Sequence, residues 1–144
     1  MKLLNPALRV GIGASTAVAG AVHAYLYADG YRDIPTVGPA FLIQGSVMCA
    51  LAVLILAGGP AWLSLAAVAG AAGSLVAFAL SRTVGLAGFV ETGWQPGPYA
   101  LLSVIAEAFV VVLVGVLLIR RRPRSTNSDM AVEHFLDPAS ERLM

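Results

Sequence analysis

The sequence predicts an all-α fold: a polytopic membrane protein built as a four-transmembrane-helix bundle with both termini cytoplasmic. Three observations predict it. Four apolar runs, at 8–27, 37–57, 61–80 and 99–119, approach the about 20 residues a helix needs to cross a ~30 Å hydrocarbon core. Charge is scarce, at 12% of 144 residues, where soluble domains carry about 25%, and 58% of the chain is hydrophobic. The last run closes in Arg120, Arg121, Arg122, Pro123 and Arg124, a basic flank that holds a helix end in the cytoplasm.

The first run, Leu8 to Tyr27, follows Lys2 and Arg9. Its basic start and the small residues near Ala24 share the layout of a signal peptide, but its length and its Gly and Ala content favour a span. Asp29-Gly30 marks a turn, and Arg32-Asp33-Ile34-Pro35 resists continuing a helix. The second run, Val37 to Ala57, stops at Gly58-Gly59-Pro60. The third, Ala61 to Leu80, stops at Ser81-Arg82. A long connection, Ser81 to Gly97, leads to Pro98, which suits a first helical turn because its missing N–H is not needed there. The fourth run is Tyr99 to Ile119.

Basic flanks on the first and last spans require an even number of crossings. The segments Tyr27 to Thr36 and Ser81 to Gly97 then face outward, in a bacterial cytoplasmic membrane. Tyr25, Tyr27, Tyr31, Trp94 and Tyr99 collect at this outer boundary as an aromatic belt, and Trp62 marks the inner one. Residues 1–124 form the membrane domain. Residues 125–144 form a polar cytoplasmic tail, in which Asp129 is placed to cap a short helix that Asp137-Pro138 would stop.

Helices in lipid associate through small residues and interhelical hydrogen bonds. Gly13, Thr16, Gly20, His23 and Tyr27 form such a stripe on the first span. The second offers Gly38, Gly45, Cys49 and Ala52, and the third Ala66, Gly70, Gly73 and Ala77. Cys49, the only cysteine, excludes an intrachain disulfide and any Cys-x-x-Cys pair. A net charge of +1, with the basic residues at helix ends, gives no nucleic-acid surface.

The chemistry-bearing residues are few. At 1.5 Å per residue, His23, Gln44 and Glu107 lie about 6, 10 and 13 Å below the outer boundary, all in the outer half of the bundle. Ser103 stands one turn from Glu107 on the same helix face. A carboxyl group at that depth needs a partner, a proton or a task. A polar chain from His23 through Gln44 and Ser103 to Glu107 is geometrically open. Each residue also has a structural reading: Glu107, Gln44 and His23 as interhelical ties, and Cys49 as a small packing residue. A lone intramembrane His lacks the second axial ligand of a low-spin haem and the ligand count of a metal site. In the loops, Asp33 with Arg82, or Arg32 with Glu91, would clamp the two outer segments; Asp29 is the remaining loop charge. No Walker loop, dinucleotide fingerprint, zinc-binding His-Glu-x-x-His or nucleophile elbow is present.

His-Ala-Tyr-Leu-Tyr-Ala-Asp-Gly-Tyr-Arg-Asp-Ile-Pro at 23–35, Ser-Arg-Thr-Val-Gly-Leu-Ala-Gly-Phe at 81–89 and the late Glu107 together resemble a set of small four-span membrane proteins of actinobacteria, mostly of unassigned function. The likeness covers about residues 8 to 122 and implies no mechanism. A looser similarity, carried by topology and a Gly-rich first helix ending in His, is to DoxX-like membrane proteins, some associated with quinone-linked redox systems. Two functions follow as expectations. One is a non-catalytic membrane protein without cofactor, self-associating or serving as an accessory subunit of a larger assembly. The other is a bundle that binds a quinone, haem or another lipophilic redox ligand, or relays protons, near Glu107 and His23.

Overall fold

Four α-helices occupy the four apolar runs in a computed structural model that describes residues 5–121. They are α1 (Pro6–Leu26), α2 (Val37–Leu56), α3 (Trp62–Ser81) and α4 (Tyr99–Arg121). Three of them, α2, α3 and α4, are long and apolar enough to cross a membrane. Lys2, Arg122, Arg124 and the tail at 125–144 lie outside the described residues.

Local chemistry sets the boundaries. Asn5 caps α1 through its side chain, which accepts from Ala7 N, and Pro6 takes the first helical position. The end of α1 differs from the expected simple turn. The chain winds through a single π turn, Tyr27–Tyr31, where Arg32 N donates to Tyr27 O at 3.1 Å. Such turns recur at functional sites. Pro35, Thr36 and Val37 then form a γ-turn: Val37 N donates to Pro35 O at 2.8 Å, and Thr36 has φ 69° and ψ −47°. This strained turn starts α2 at once.

α1 and α2 pair antiparallel along their length. A Cβ built on Gly13 meets Leu56, one on Gly20 meets Met48 and Cys49, and one on Gly45 meets Ala24. The first two helices are therefore nearly in backbone contact, as small residues permit in lipid. α4 lies on another face of α1, with Gly11 beside Leu113 at one end and Tyr25 against Tyr99 at the other, their ring centroids 4.5 Å apart. Ile12, Ala19, Met48, Ile55, Ala67, Ala71, Val110 and Val114 fill the centre. The outward faces carry Ile43, Val53, Phe109 and Val112, more than half exposed, as contact with lipid requires.

α3 is rotated from the expected orientation. Its buried face is Ser64, Ala67 and Ala71, and Gly73 faces open space, with no atom within 4 Å of an added Cβ. Of the expected stripe, Ala66 packs against the core and Gly70 approaches Met48 Sδ, 3.0 Å from an added Cβ. Cys49 touches Gly20 from a position exposed on its other side.

Candidate functional site

α1, α3 and α4 each bring one chemically active side chain to a single point beneath the loop end. His23 projects from the last turn of α1, on the stripe already occupied by the fully buried Thr16. Its Nδ1 donates to Ala19 O at 3.0 Å. A carbonyl can only accept, so Nδ1 carries the hydrogen and Nε2 is turned toward the other helices. There Ser74 Oγ of α3 stands 3.2 Å away, and Glu107 Oε1 of α4 stands 3.8 Å away. In the neutral ring Nε2 accepts from the Ser74 hydroxyl. Ser103 Oγ, one turn from Glu107, donates to the same Oε1 at 3.2 Å. The His23 side chain is 8% exposed and that of Glu107 is 1% exposed. The 3.8 Å gap is too long for a direct hydrogen bond and short enough for a strong electrostatic coupling in a dry interior.

The structure therefore brings His23, Ser103 and Glu107 together and leaves Gln44 apart. Gln44 Nε2 donates to Gly70 O at 3.1 Å and ties α2 to α3. The fourth member of the cluster is Ser74. A serine in an Ala/Gly-rich helix carries no signal of its own, though counting back from Ser81 puts it at the depth of Gln44 and Glu107.

Aromatic rings wall the cluster on its loop side. Phe41 packs on His23 with centroids 5.0 Å apart, and Tyr31 stacks flat on Phe41 at 4.8 Å. Phe89 meets the edge of Tyr31 at 6.0 Å. A cavity of about 80 Å³ extends from His23 and Glu107 up to Arg82 and Glu91. A second, wider groove of about 280 Å³ shares His23, Phe41 and Ser74 with it and runs between α2 and α3.

The connection between α3 and α4 closes the loop end. Leu86 and Phe89 exchange backbone hydrogen bonds in a tight turn, and Glu91 N returns to Ser81 O at 3.0 Å. The charge pairing differs from the expected clamps. Arg82 pairs with Glu91 inside the same loop at 3.1 Å, and exposed Arg32 lies 3.6 Å from its neighbour Asp33. Arg82 also sits over the Phe78 ring at 4.7 Å and donates to Gln95 O. Asp29 forms no ion pair among the described residues. The two loops are joined by Tyr31, whose hydroxyl donates to Glu91 Oε1 at 2.6 Å. Among the described residues no three metal-ligating side chains converge.

Burial, reinforced by the bond to Glu91, raises the Tyr31 phenol above its ordinary value near 10. The folded loop thus favours the protonated phenol. Its contribution is whole below about pH 10 and is lost as pH climbs through the higher folded value. With Trp62→Phe, Trp94 is the sole tryptophan and reports the loop. Its emission should hold steady up to about pH 10 and change above it. Tyr31→Phe should abolish that transition and cost about 1 kcal/mol, because Glu91 keeps Arg82. A transition below pH 10 would contradict the assignment.

Comparison with family models, with curated proteins and with solved structures finds no match to this chain. The reading of the site therefore rests on its own geometry.

Proposed function

We propose that this chain is a four-span protein of a bacterial cytoplasmic membrane that binds a small lipophilic molecule beneath its outer loops and exchanges a proton with it through His23 and Glu107. The observation that carries the reading is the convergence of an imidazole and a carboxyl group from different helices, both buried, at the inner end of an aromatic-walled cavity. A buried acid with a basic neighbour in a cleft is the arrangement expected where protons move. The membrane placement draws support from three lipid-compatible helices and from α1, whose 21 residues span about 31 Å and lie antiparallel along α2. That pairing favours α1 as the fourth crossing. Arg120 at the end of α4 and Arg9 near the start of α1 mark the cytoplasmic side.

Among the ligand classes raised by the sequence, a quinone suits the site better than haem. A quinone's carbonyl oxygens can accept from the Ser74 hydroxyl or a protonated carboxyl group, and a quinol's hydroxyls can donate to His23 Nε2. His23 Nε2 instead faces a hydroxyl and a carboxyl group, which leaves it poorly placed to hold a haem iron. The reading as an accessory subunit rests on the lack of catalytic motifs and gains no contact of its own from the fold.

The test is extraction. Protein purified in mild detergent and extracted with organic solvent should yield one lipophilic molecule near equal stoichiometry by mass spectrometry. Glu107→Gln should lower its retention by roughly tenfold, the scale of one lost polar contact at a buried site. An empty extract, or equal retention in Glu107→Gln, would overturn the proposal.

A further inference from the structure

The cluster has two ways out, and they differ in kind. Toward the loop end the route is lined by Arg82, Glu91, Tyr31 and Phe89, held by the ion pair, the hydrogen bond and the ring contacts described above. Sideways it opens between α2 and α3 through the wider groove. Its sides are small: Ala40 on α2, and Gly73 and Ala77 on α3. Gly73 is the clearest marker, because a Cβ added there would meet no atom of a neighbouring element within 4 Å. A glycine that approaches nothing in a helix weakens that helix for no packing return. The mouth is framed by Thr36 and Ala87, which carry φ of 69° and 51°. These are the only non-glycine residues with positive φ among those described. Strain of this kind gathers at ligand clamps.

We infer that the groove between α2 and α3 is a lateral portal, through which a neutral lipid bearing a hydroxyl or carbonyl head reaches His23 and Ser74 directly from the bilayer. This inference rests on the proposed ligand site and adds its route and ligand class. The route follows from position, since α2 and α3 are two of the lipid-compatible helices and the groove lies on the flank they share. The class follows from the groups the groove presents. His23 Nε2 and the Ser74 hydroxyl form its polar floor, and Gln44 lies on its wall. No Asp, Glu, Lys or Arg lines the groove; Arg82 and Glu91, paired at 3.1 Å, line the first cavity instead. A charged head would be desolvated without a counter-charge, whereas a neutral oxygen finds both donor and acceptor. The remaining walls are apolar and continuous with the lipid-facing surface, as a flexible tail requires.

Photolabelling in vesicles of phosphatidylethanolamine and phosphatidylglycerol tests this. The probe is a long-chain alcohol with a diazirine in its tail, and the same chain without the hydroxyl serves as control. Crosslinks of the alcohol should concentrate near Ala40 and from Gly73 to Ala77. Gly73→Leu should lower them roughly tenfold, the scale of one misfitted apolar side chain in a pocket. Val76→Leu, at a position 58% exposed beside the portal, should leave them unchanged. Thermal unfolding of Gly73→Leu should match or exceed the native protein, which keeps a loss of labelling from being a loss of fold. Even labelling of Val53 and Val112, equal labelling by the hydrocarbon control, or labelling indifferent to Gly73→Leu would each overturn the inference. A Glu107→Gln arm separates the two proposals. If Gly73→Leu abolishes labelling and Glu107→Gln does not, the portal stands and the Glu107 site falls. The reverse result leaves the site and removes the portal.

Discussion

Valine at Gly20 or at Gly45 is expected to destabilise the bundle by forcing apart the helix pair α1 and α2. An added Cβ at Gly20 would lie 2.8 Å from the backbone nitrogen of Cys49, and one at Gly45 would lie 2.9 Å from that of Ala24. Backbone in the middle of a paired helix cannot move aside as a side-chain tip can. Each change must therefore push α1 off α2, at about 2–3 kcal/mol, the upper range for overpacking. Alanine at Gly73 is the control. It meets nothing within 4 Å and should gain up to about 1 kcal/mol from helix propensity. Unfolding in mild detergent measures all three. If Gly20→Val and Gly73→Ala behaved alike, the antiparallel seam between α1 and α2 would be misplaced, and His23 with it.

Leucine at His23 should destabilise by about 3 kcal/mol, and leucine at Glu107 by less. Removing His23 leaves the Glu107 carboxyl group in an apolar interior with only the Ser74 and Ser103 hydroxyls beside it. Breaking a buried pair by deleting one partner typically costs about 3–5 kcal/mol. Removing Glu107 is gentler, because His23 keeps Ala19 O through Nδ1 and Ser74 through Nε2. The same unfolding assay should show this order. A Glu107→Leu protein less stable than His23→Leu would mean that the carboxyl group, not the imidazole, holds the cluster together through contacts other than these.

Much of the architecture is legible because lipid imposes a length. A run of apolar residues bounded by Gly58-Gly59-Pro60 or by Arg120 has one structural solution, so the helix ends fall close to the ends of the runs. The distances of His23 and Glu107 from the loop ends of their helices follow from the rise per residue, and matching distances make their meeting possible. Rotation about each helix axis is what the sequence hides. α3 carries Ala, Gly and Ser on every side, so no face stands out, and Gly73 reads as a packing residue although it lines an opening. Ser74 is obscured for the same reason. The loop pairing was equally closed to inspection. Arg82 meets Glu91 because the tight turn at Leu86 to Phe89 folds the chain back on itself, and that return depends on backbone angles at Gly85 and Gly88. The role of Tyr31 as the link between loops follows from the π turn that ends α1, which no local pattern announced.

If His23 and Glu107 act as one coupled site, a double-mutant cycle will show it. The stabilities of the native protein, His23→Leu, Glu107→Leu and the double variant yield the interaction between the two side chains. A coupling of about 1 kcal/mol or more is expected, above the ~0.6 kcal/mol average for polar pairs between membrane helices. The double variant should accordingly be more stable than the sum of the single changes implies, since it leaves neither group stranded. Additivity to within about 0.3–0.5 kcal/mol would show two independent residues that happen to lie 3.8 Å apart, and would contradict the account.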